Sequence, residues 1–277
     1  MNNTNLIRHE DKGVVYYTSP LLDNLTWLKH GMATRIGGVS TGPCESMNLS
    51  KAEETPDSKE NVRENYIRFF SAVGIAPERV VSQYQVHGKA VSVVPVDHSC
   101  NGIKPGVDFP DNDGMVTDGQ GLALFGYTAD CTIVMFADDR QHVVGICHAG
   151  WKGTVQKIAV ETIEKMKEAF GSRPEDIYAF IAPSICQDCF EVGAEVIEAV
   201  NKIIPEDKRD GIYYGKDNGK YQLSLWECNK YLIMEAEVPE EHIELPNLCS
   251  RCNPDLFFSH RLQGAERGTG GAFIMIK

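Results

Sequence analysis

Apolar positions along this chain fall into two periods. Between residues 57 and 73, Val62, Tyr66, Phe69 and Val73 recur every three or four positions and Gly74 follows. That spacing predicts a helix with one buried face and a glycine stop. A second helix is predicted over 154–169, where Val155, Ile158, Ala159, Ile163, Met166 and Phe170 keep helical spacing ahead of Gly171. Two more are expected near 191–203 and 223–236. Elsewhere the apolar residues form short blocks bounded by turn residues, the mark of strands. These fall at about 79–84, 90–94, 114–117, 122–127, 131–137, 142–148, 177–182 and 272–276, with a β-like run at Val14–Tyr17. A long loop rich in Asp, Gly and Pro spans 97–114. Strands and helices do not alternate strictly, which argues against a doubly wound parallel sheet. Mixed β-sheets with helices packed outside, an α+β layer arrangement, fit the pattern better. No internal repeat or linker-like break divides the chain, so residues 1–277 read as one domain.

Two neighbouring strands carry the most informative residues. Blocks 131–137 (CTIVMFA) and 142–148 (HVVGICH) flank the polar turn Asp138-Asp139-Arg140-Gln141. A hairpin centred between Asp139 and Arg140 pairs Ala137 with His142, and Cys131 with His148. Opposed residues share a face with Cβ atoms about 4.5–5.5 Å apart, close enough for a thiolate and an imidazole to hold one zinc ion. A register slip of one residue would separate them. His87, ending the strand before Gly88, is the third candidate, so that all three residues stand at strand ends beside small residues. A Cys-His-His set leaves a fourth position for water, the pattern of catalytic zinc, and zinc lowers the pKa of bound water to about 7. Without a metal, the same residues make a cysteine nucleophile with a histidine base. Residue types alone do not separate these chemistries.

Composition narrows the partners. The formal charge of −12 disfavours nucleic acid or an anionic membrane as the main partner, but not a small anion. No run approaches the ~20 apolar residues of a membrane span, and the polar start Met1-Asn2-Asn3-Thr4-Asn5 has no signal-peptide core. A cytoplasmic location is the expectation. Nine cysteines, an odd number, read as free thiols or ligands in a reducing compartment. Cys186/Cys189 and Cys249/Cys252 form two CxxC pairs that suggest a structural zinc. The gap between the pairs exceeds a zinc-ribbon spacing, so buried or loop thiols are the preferred reading.

Anion contacts are sought in Arg35 beside Gly37-Gly38, which offers a guanidinium and backbone N–H groups, and in Lys152 just before the helix over 154–169. Asp130 is a candidate for orienting a ligand or for proton transfer. His260-Arg261 could join the site. The chain lacks the H-x-E…P-C-x-x-C signature of zinc nucleobase deaminases.

Six motifs occur in an order that resembles the YfiH-like laccase-domain family: TRIGGVSTGP…MNLS, QYQVHG, DGMVTD…TADC, GICHAGWKGT, APSIC…FEVG and LFFSHR. The resemblance runs from about residue 30 to the C-terminus and is strongest to its bacterial YlmD-type members. It implies a four-layer α/β/β/α sandwich with mixed sheets, and zinc on His87, Cys131 and His148. It also implies phosphorolysis of purine nucleosides (adenosine, inosine, guanosine, methylthioadenosine) with phosphate, and adenosine deaminase activity. On that reading zinc serves deamination, Arg35 and Lys152 hold phosphate or ribose, and Asn48 of MNLS and Arg261 are polar contacts. FSHR stands where many members have FSYR, which leaves His260 without a counterpart role. A true laccase is disfavoured, because four coppers need many histidines, largely in H-x-H pairs, and this chain has eight histidines and no such pair. A single copper bound in vitro is compatible with the donor set. The competing classes are a Cys-His amide hydrolase acting on cell-wall precursors, a copper-dependent polyphenol oxidase and a non-catalytic metal-bound scaffold.

Overall fold

A computed structural model describes residues 4–51, 55–104 and 106–277. In chain order the strands are β1 (Ile7–Asp11), β2 (Val14–Thr18), β3 (Leu28–Ala33), β4 (Val80–Ser82), β5 (Val91–Val93), β6 (Gly114–Thr117), β7 (Ala123–Thr128), β8 (Thr132–Asp138), β9 (Val143–Ala149), β10 (Ile177–Ile181), β11 (Glu191–Val192), β12 (Tyr213–Gly215), β13 (Tyr221–Leu223), β14 (Ile243–Glu244) and β15 (Gly270–Ile276). The helices are α1 (Pro20–Asp23), α2 (Lys59–Ala72), α3 (Trp151–Val155), α4 (Ile158–Phe170), α5 (Ala194–Asn201), α6 (Leu225–Glu235) and α7 (His260–Gln263).

Two six-stranded sheets stack face to face. One runs β1-β2-β3-β15-β7-β4 and the other β14-β10-β8-β9-β6-β5. Both are mixed: β4 lies parallel to β7, β5 to β6 and β10 to β14, while the central pairs are antiparallel. A small sheet, β11-β13-β12, stands apart. Between the large sheets, Met32, Leu124 and Ile274 of the first meet Ile133, Met135 and Ile146 of the second. On the first sheet's outer face α2 buries Val62, Tyr66, Phe69 and Phe70 against Phe125 and Phe273. On the second sheet's outer face α4 buries Ile158, Ile163 and Met166 against Val134, Phe136 and Cys147. The result is the α/β/β/α layering that the motif resemblance implies.

The continuous apolar blocks now have a cause. Every residue of β8 and β9 is buried, because one face meets the partner sheet and the other meets α4. Truncating a side chain there, Phe136→Ala for example, would cost about 3–5 kcal/mol.

The hairpin register differs from the expected one by two residues. His148 faces Ile133, and Ala137 faces Val144. The turn extends to His142, which takes a left-handed backbone (φ 51°), while the Asp138 carboxylate accepts from the Arg140 and Gln141 N–H groups. Cys131 therefore sits just before β8 rather than opposite His148. A slip of two preserves the face, so Cys131 and His148 still point to the same side. Two further expectations shift. The helix expected over 154–169 is two pieces, broken at the left-handed Lys157 (φ 62°), so Lys152 lies inside α3 rather than ahead of the helix. The helix expected at 191–203 begins only at Ala194, because Glu191–Val192 pair with β13.

Candidate functional site

Two strand ends and one loop converge at one rim of the sandwich. His148 lies one residue from the end of β9, Cys131 immediately precedes β8, and His87 sits in the loop after β4 with a left-handed backbone (φ 61°), not at a strand end. One ligand atom from each lies within 4.8 Å of the other two. The two imidazoles meet edge to face, 4.8 Å between centroids. His148 is buried, Cys131 half-buried and His87 exposed, so the group has one open side.

Asp113, at the entry to β6, organises the two histidines. Its carboxylate accepts the N–H groups of Val86, His87 and Gly88, at 3.1, 3.0 and 2.8 Å, and so shapes the His87 loop. The same carboxylate meets His148 Nδ1 at 2.9 Å. An ionised carboxylate only accepts, so Nδ1 carries a proton and Nε2 is the atom left for a ligand. Burial would raise the Asp113 pKa, but the bonds from His148 and the backbone outweigh it and hold the carboxyl below its ordinary range. Sequence reasoning missed this residue. The signal was its position at the head of the DGMVTD motif, where an acid opens a buried strand.

Gly150 provides the room. A Cβ there would stand 3.0 Å from Cys131 Sγ, 3.3 Å from His87 Cδ2 and 3.5 Å from His148 Cε1. Burial alone would raise the Cys131 thiol, but His148 and then His87 reverse this and bring it to about 6. Burial likewise would lower His148, whereas Cys131 and then Asp113 push it up to about 9. Without an ion, the pair is a thiolate beside an imidazolium. A thiolate, two imidazoles, a carboxylate fixing one tautomer and an open side make a donor set that suits a borderline-soft divalent ion.

Two clefts open onto this cluster. The first, about 570 Å³, is lined by Ser50, Lys51, Tyr84, Gln85, Tyr127 and Arg267 among others. The second, about 360 Å³, is lined by Trp151, Ile185, Phe190, Leu225, His260 and Arg261. His87, Cys131 and Arg267 border both. Arg267 is the second residue the sequence did not reveal. Its Nε is buried without a hydrogen-bond partner among the described residues. Lys51 lies in the first cleft over the Tyr66 ring, and burial lowers its ammonium to about 8 despite Asp108.

The other anticipated residues are distributed differently. The Arg35 guanidinium is tied to the carbonyls of Glu45 and Pro254 and stacks over Phe258. Asn48 is wholly buried, binding Asp57 and the N–H groups of Ser50 and Thr269. Lys152 is exposed on α3. None of these three lines either cleft among the described residues. Asp130 borders the second cleft, but its carboxylate accepts from Ser250 Oγ (2.6 Å), Ser259 Oγ (3.0 Å) and the Arg261 N–H (2.7 Å). Arg261 reaches that cleft's wall, with Nη1 on the Glu191 carbonyl at 3.0 Å and its guanidinium over Phe190. The four cysteines of the CxxC pairs are gathered rather than scattered, contrary to their reading as separate thiols.

Fold and motif order converge on one class, sandwich proteins of the laccase-domain type. The family described as multi-copper polyphenol oxidoreductase laccase matches residues 29–277, and the chain belongs to it. A purine nucleoside phosphorylase of Bacteroides thetaiotaomicron is 32% identical over 268 residues, covering 96% of this chain and 97% of its own. An adenosine deaminase, RL5, from an unknown prokaryotic organism is 38% identical over 156 residues, 56% of this chain and 59% of its own. The crystal structure of YlmD from Geobacillus stearothermophilus superposes with a TM-score of 0.89 at 30% identity, covering 97% of this chain and 98% of that one. No helix among the described residues is long and apolar enough to cross a membrane.

Proposed function

We propose that this chain, acting as a single cytoplasmic domain, is a zinc-dependent purine nucleoside phosphorylase with adenosine deaminase activity. The observation that carries the reading is the meeting of His87, Cys131 and His148 where two clefts join, with Arg267 bordering both. The similarity to a phosphorylase along nearly the whole chain and to a deaminase over half of it supports the choice of substrate class. His87, Cys131 and His148 would hold the ion. When bound, it would supply Lewis-acid activation of water or of a substrate oxygen.

The remaining work falls to the chain's own groups. Phosphorolysis needs phosphate poised at the sugar C1′ and a stabilised purine leaving group. The Arg267 guanidinium, bordering both clefts, is the cation for phosphate, and Lys51 adds a second in the larger cleft. The smaller cleft offers Phe190, Trp151, Ile185 and Leu225 as an apolar seat for the purine ring. Asp113 orients His148. Asp130 acts through Arg261, Ser250 and Ser259 as a positioning residue. Arg35 and Asn48 hold the rim of the fold, and Lys152 stands outside the chemistry.

Incubating the protein with adenosine and phosphate should yield adenine and ribose-1-phosphate, with inosine from the deaminase reaction. Absence of every product in zinc-loaded protein would overturn the reading. The thiolate–imidazolium pair favours a second one, a Cys-His amide hydrolase of cell-wall precursors. A thiol-alkylating reagent separates them: the hydrolase would be active after metal removal and blocked by alkylation, whereas a zinc enzyme is inactive once stripped. Copper oxidation of a polyphenol is the weaker alternative, given the histidine count.

A further inference from the structure

Cys186 and Cys189 flank the short turn between β10 and β11, and Cys249 and Cys252 lie on the segment between β14 and α7. Sequence distance separates the two pairs, but an isolated bridge between Ser184 and Cys249 brings their loops side by side. The four sulfurs lie within 4.8 Å of one another, and Cys189 and Cys252 stand 3.4 Å apart. A disulfide requires about 2.05 Å, and all four thiols are free. A tetrahedral ion with zinc–sulfur bonds of about 2.3 Å spaces its sulfurs about 3.8 Å apart, inside the observed span. An iron–sulfur cluster sets several irons and sulfides between its thiolates, and this cage is too tight for that.

The surrounding donors suit thiolates. Cys249 Sγ accepts the N–H of Cys186 at 3.2 Å and that of Cys252 at 3.4 Å. The second of these is the turn-closing bond of a C-x-x-C loop wrapped around its own first sulfur. Arg251 Nη1 lies 3.4 Å from Cys189 Sγ, which offsets part of the negative charge of four thiolates around a divalent ion.

We propose that Cys186, Cys189, Cys249 and Cys252 hold one zinc ion in a closed tetrahedral site, separate from the His87/Cys131/His148 centre. The ion is a clasp between the β10–β11 loop and the segment leading to α7. What it clasps is the wall of the smaller cleft. Ser250, between the paired cysteines, bonds Asp130 next to Cys131, and Arg261 Nη1 reaches the Cys189 carbonyl.

The test uses the full chain carrying His87→Ala and Cys131→Ala, purified without added metal. That variant should retain one zinc per chain, released stoichiometrically by an organomercurial and trapped by a chromogenic chelator. Replacing the zinc with cobalt(II) should give the strong sulfur-to-metal charge-transfer absorption of four thiolates. A metal-free double variant, or disulfides among these cysteines on thiol titration of the denatured wild type, overturns the proposal. Cys252→Ser, at the exposed corner of the cage, should lower the zinc content of the otherwise native chain by one ion. Because the first site is absent from the double variant, a negative result there leaves the nucleoside reading standing. A failed nucleoside assay leaves the clasp standing.

Discussion

The two sulfur-bearing clusters differ in the way that separates catalytic from structural ion sites. One has three donors of two kinds, an exposed histidine and two clefts at its open side. The other has four like donors, enough to fill a tetrahedral ion by themselves. In the first, a buried carboxylate orients His148 and shapes the His87 loop. In the second, backbone N–H groups and an arginine face the sulfurs. An open, oriented site is built to exchange its fourth ligand, and a closed one is built to hold loops together.

The largest effect expected from this contrast is a split between activity and stability. His148→Ala should abolish binding at the open site and lower kcat by about a thousandfold or more, the ~4 kcal/mol scale of metal assistance, while melting within a few degrees of wild type. Cys189→Ser should do the reverse, lowering the melting temperature by several degrees and leaving turnover within about tenfold. Steady-state kinetics and calorimetry on the two variants decide it. If both behave alike, the contrast is wrong.

A second expectation concerns the metal-stripped open site. Cys131, brought from 9.0 to about 6, should react with iodoacetamide along a curve centred near pH 6. A thiolate favoured by the fold contributes stability that is full above the ordinary thiol value and lost as pH falls through about 6. The raised His148 works oppositely: its contribution is full below the ordinary value of 6.5 and lost as pH rises through about 9. His148→Ala should move the alkylation midpoint of Cys131 upward by a unit or more. An unchanged midpoint would refute the pairing. No such curve is expected from the four-cysteine cage while its ion is bound.

Asp113→Asn tests whether orientation matters at the open site. An amide can present its oxygen to His148 or to the backbone donors but carries no charge, so zinc affinity should fall by about 10–100-fold. In the wild type, the contribution of Asp113 to stability is complete above the ordinary carboxyl value of 3.8 and is lost only as pH falls through its lower folded value. Competition with a chromogenic chelator measures the first effect, and thermal unfolding followed across pH measures the second.

Much of this was legible in the chain because it rests on short-range pattern. The buried blocks of β8 and β9 and the helical spacing of α2 predict their elements, and a register error of two residues left Cys131 and His148 on one face. What could not be read is long-range. Arg267 reaches both clefts only because β15 returns through the centre of the first sheet. Asp113 meets His148 only because β6 pairs with β9. The cysteine pairs looked too far apart for one ion because sequence distance says nothing about two loops stacked at one edge. Arg35, Asn48 and Lys152 have the right chemistry for anions, yet the first two are spent on neighbouring backbone and side-chain groups, and the third lies outside both clefts.

The smallest effect is also the most local. Gly150 is the residue whose missing side chain leaves space between Cys131, His87 and His148. Its φ is −61°, so alanine meets no backbone strain there. Any effect of Gly150→Ala must come from the added methyl group, 3.0 Å from the sulfur. The sulfur or the exposed His87 ring would shift by a few tenths of an ångström, and zinc affinity should weaken by about three- to tenfold, ~1 kcal/mol. The four-cysteine site should keep its ion and the melting temperature should hold. If alanine left the affinity of the open site unchanged, the three donors would be adaptable, and the tight packing that distinguishes this centre from an ordinary surface cluster would not be what sets its ion binding.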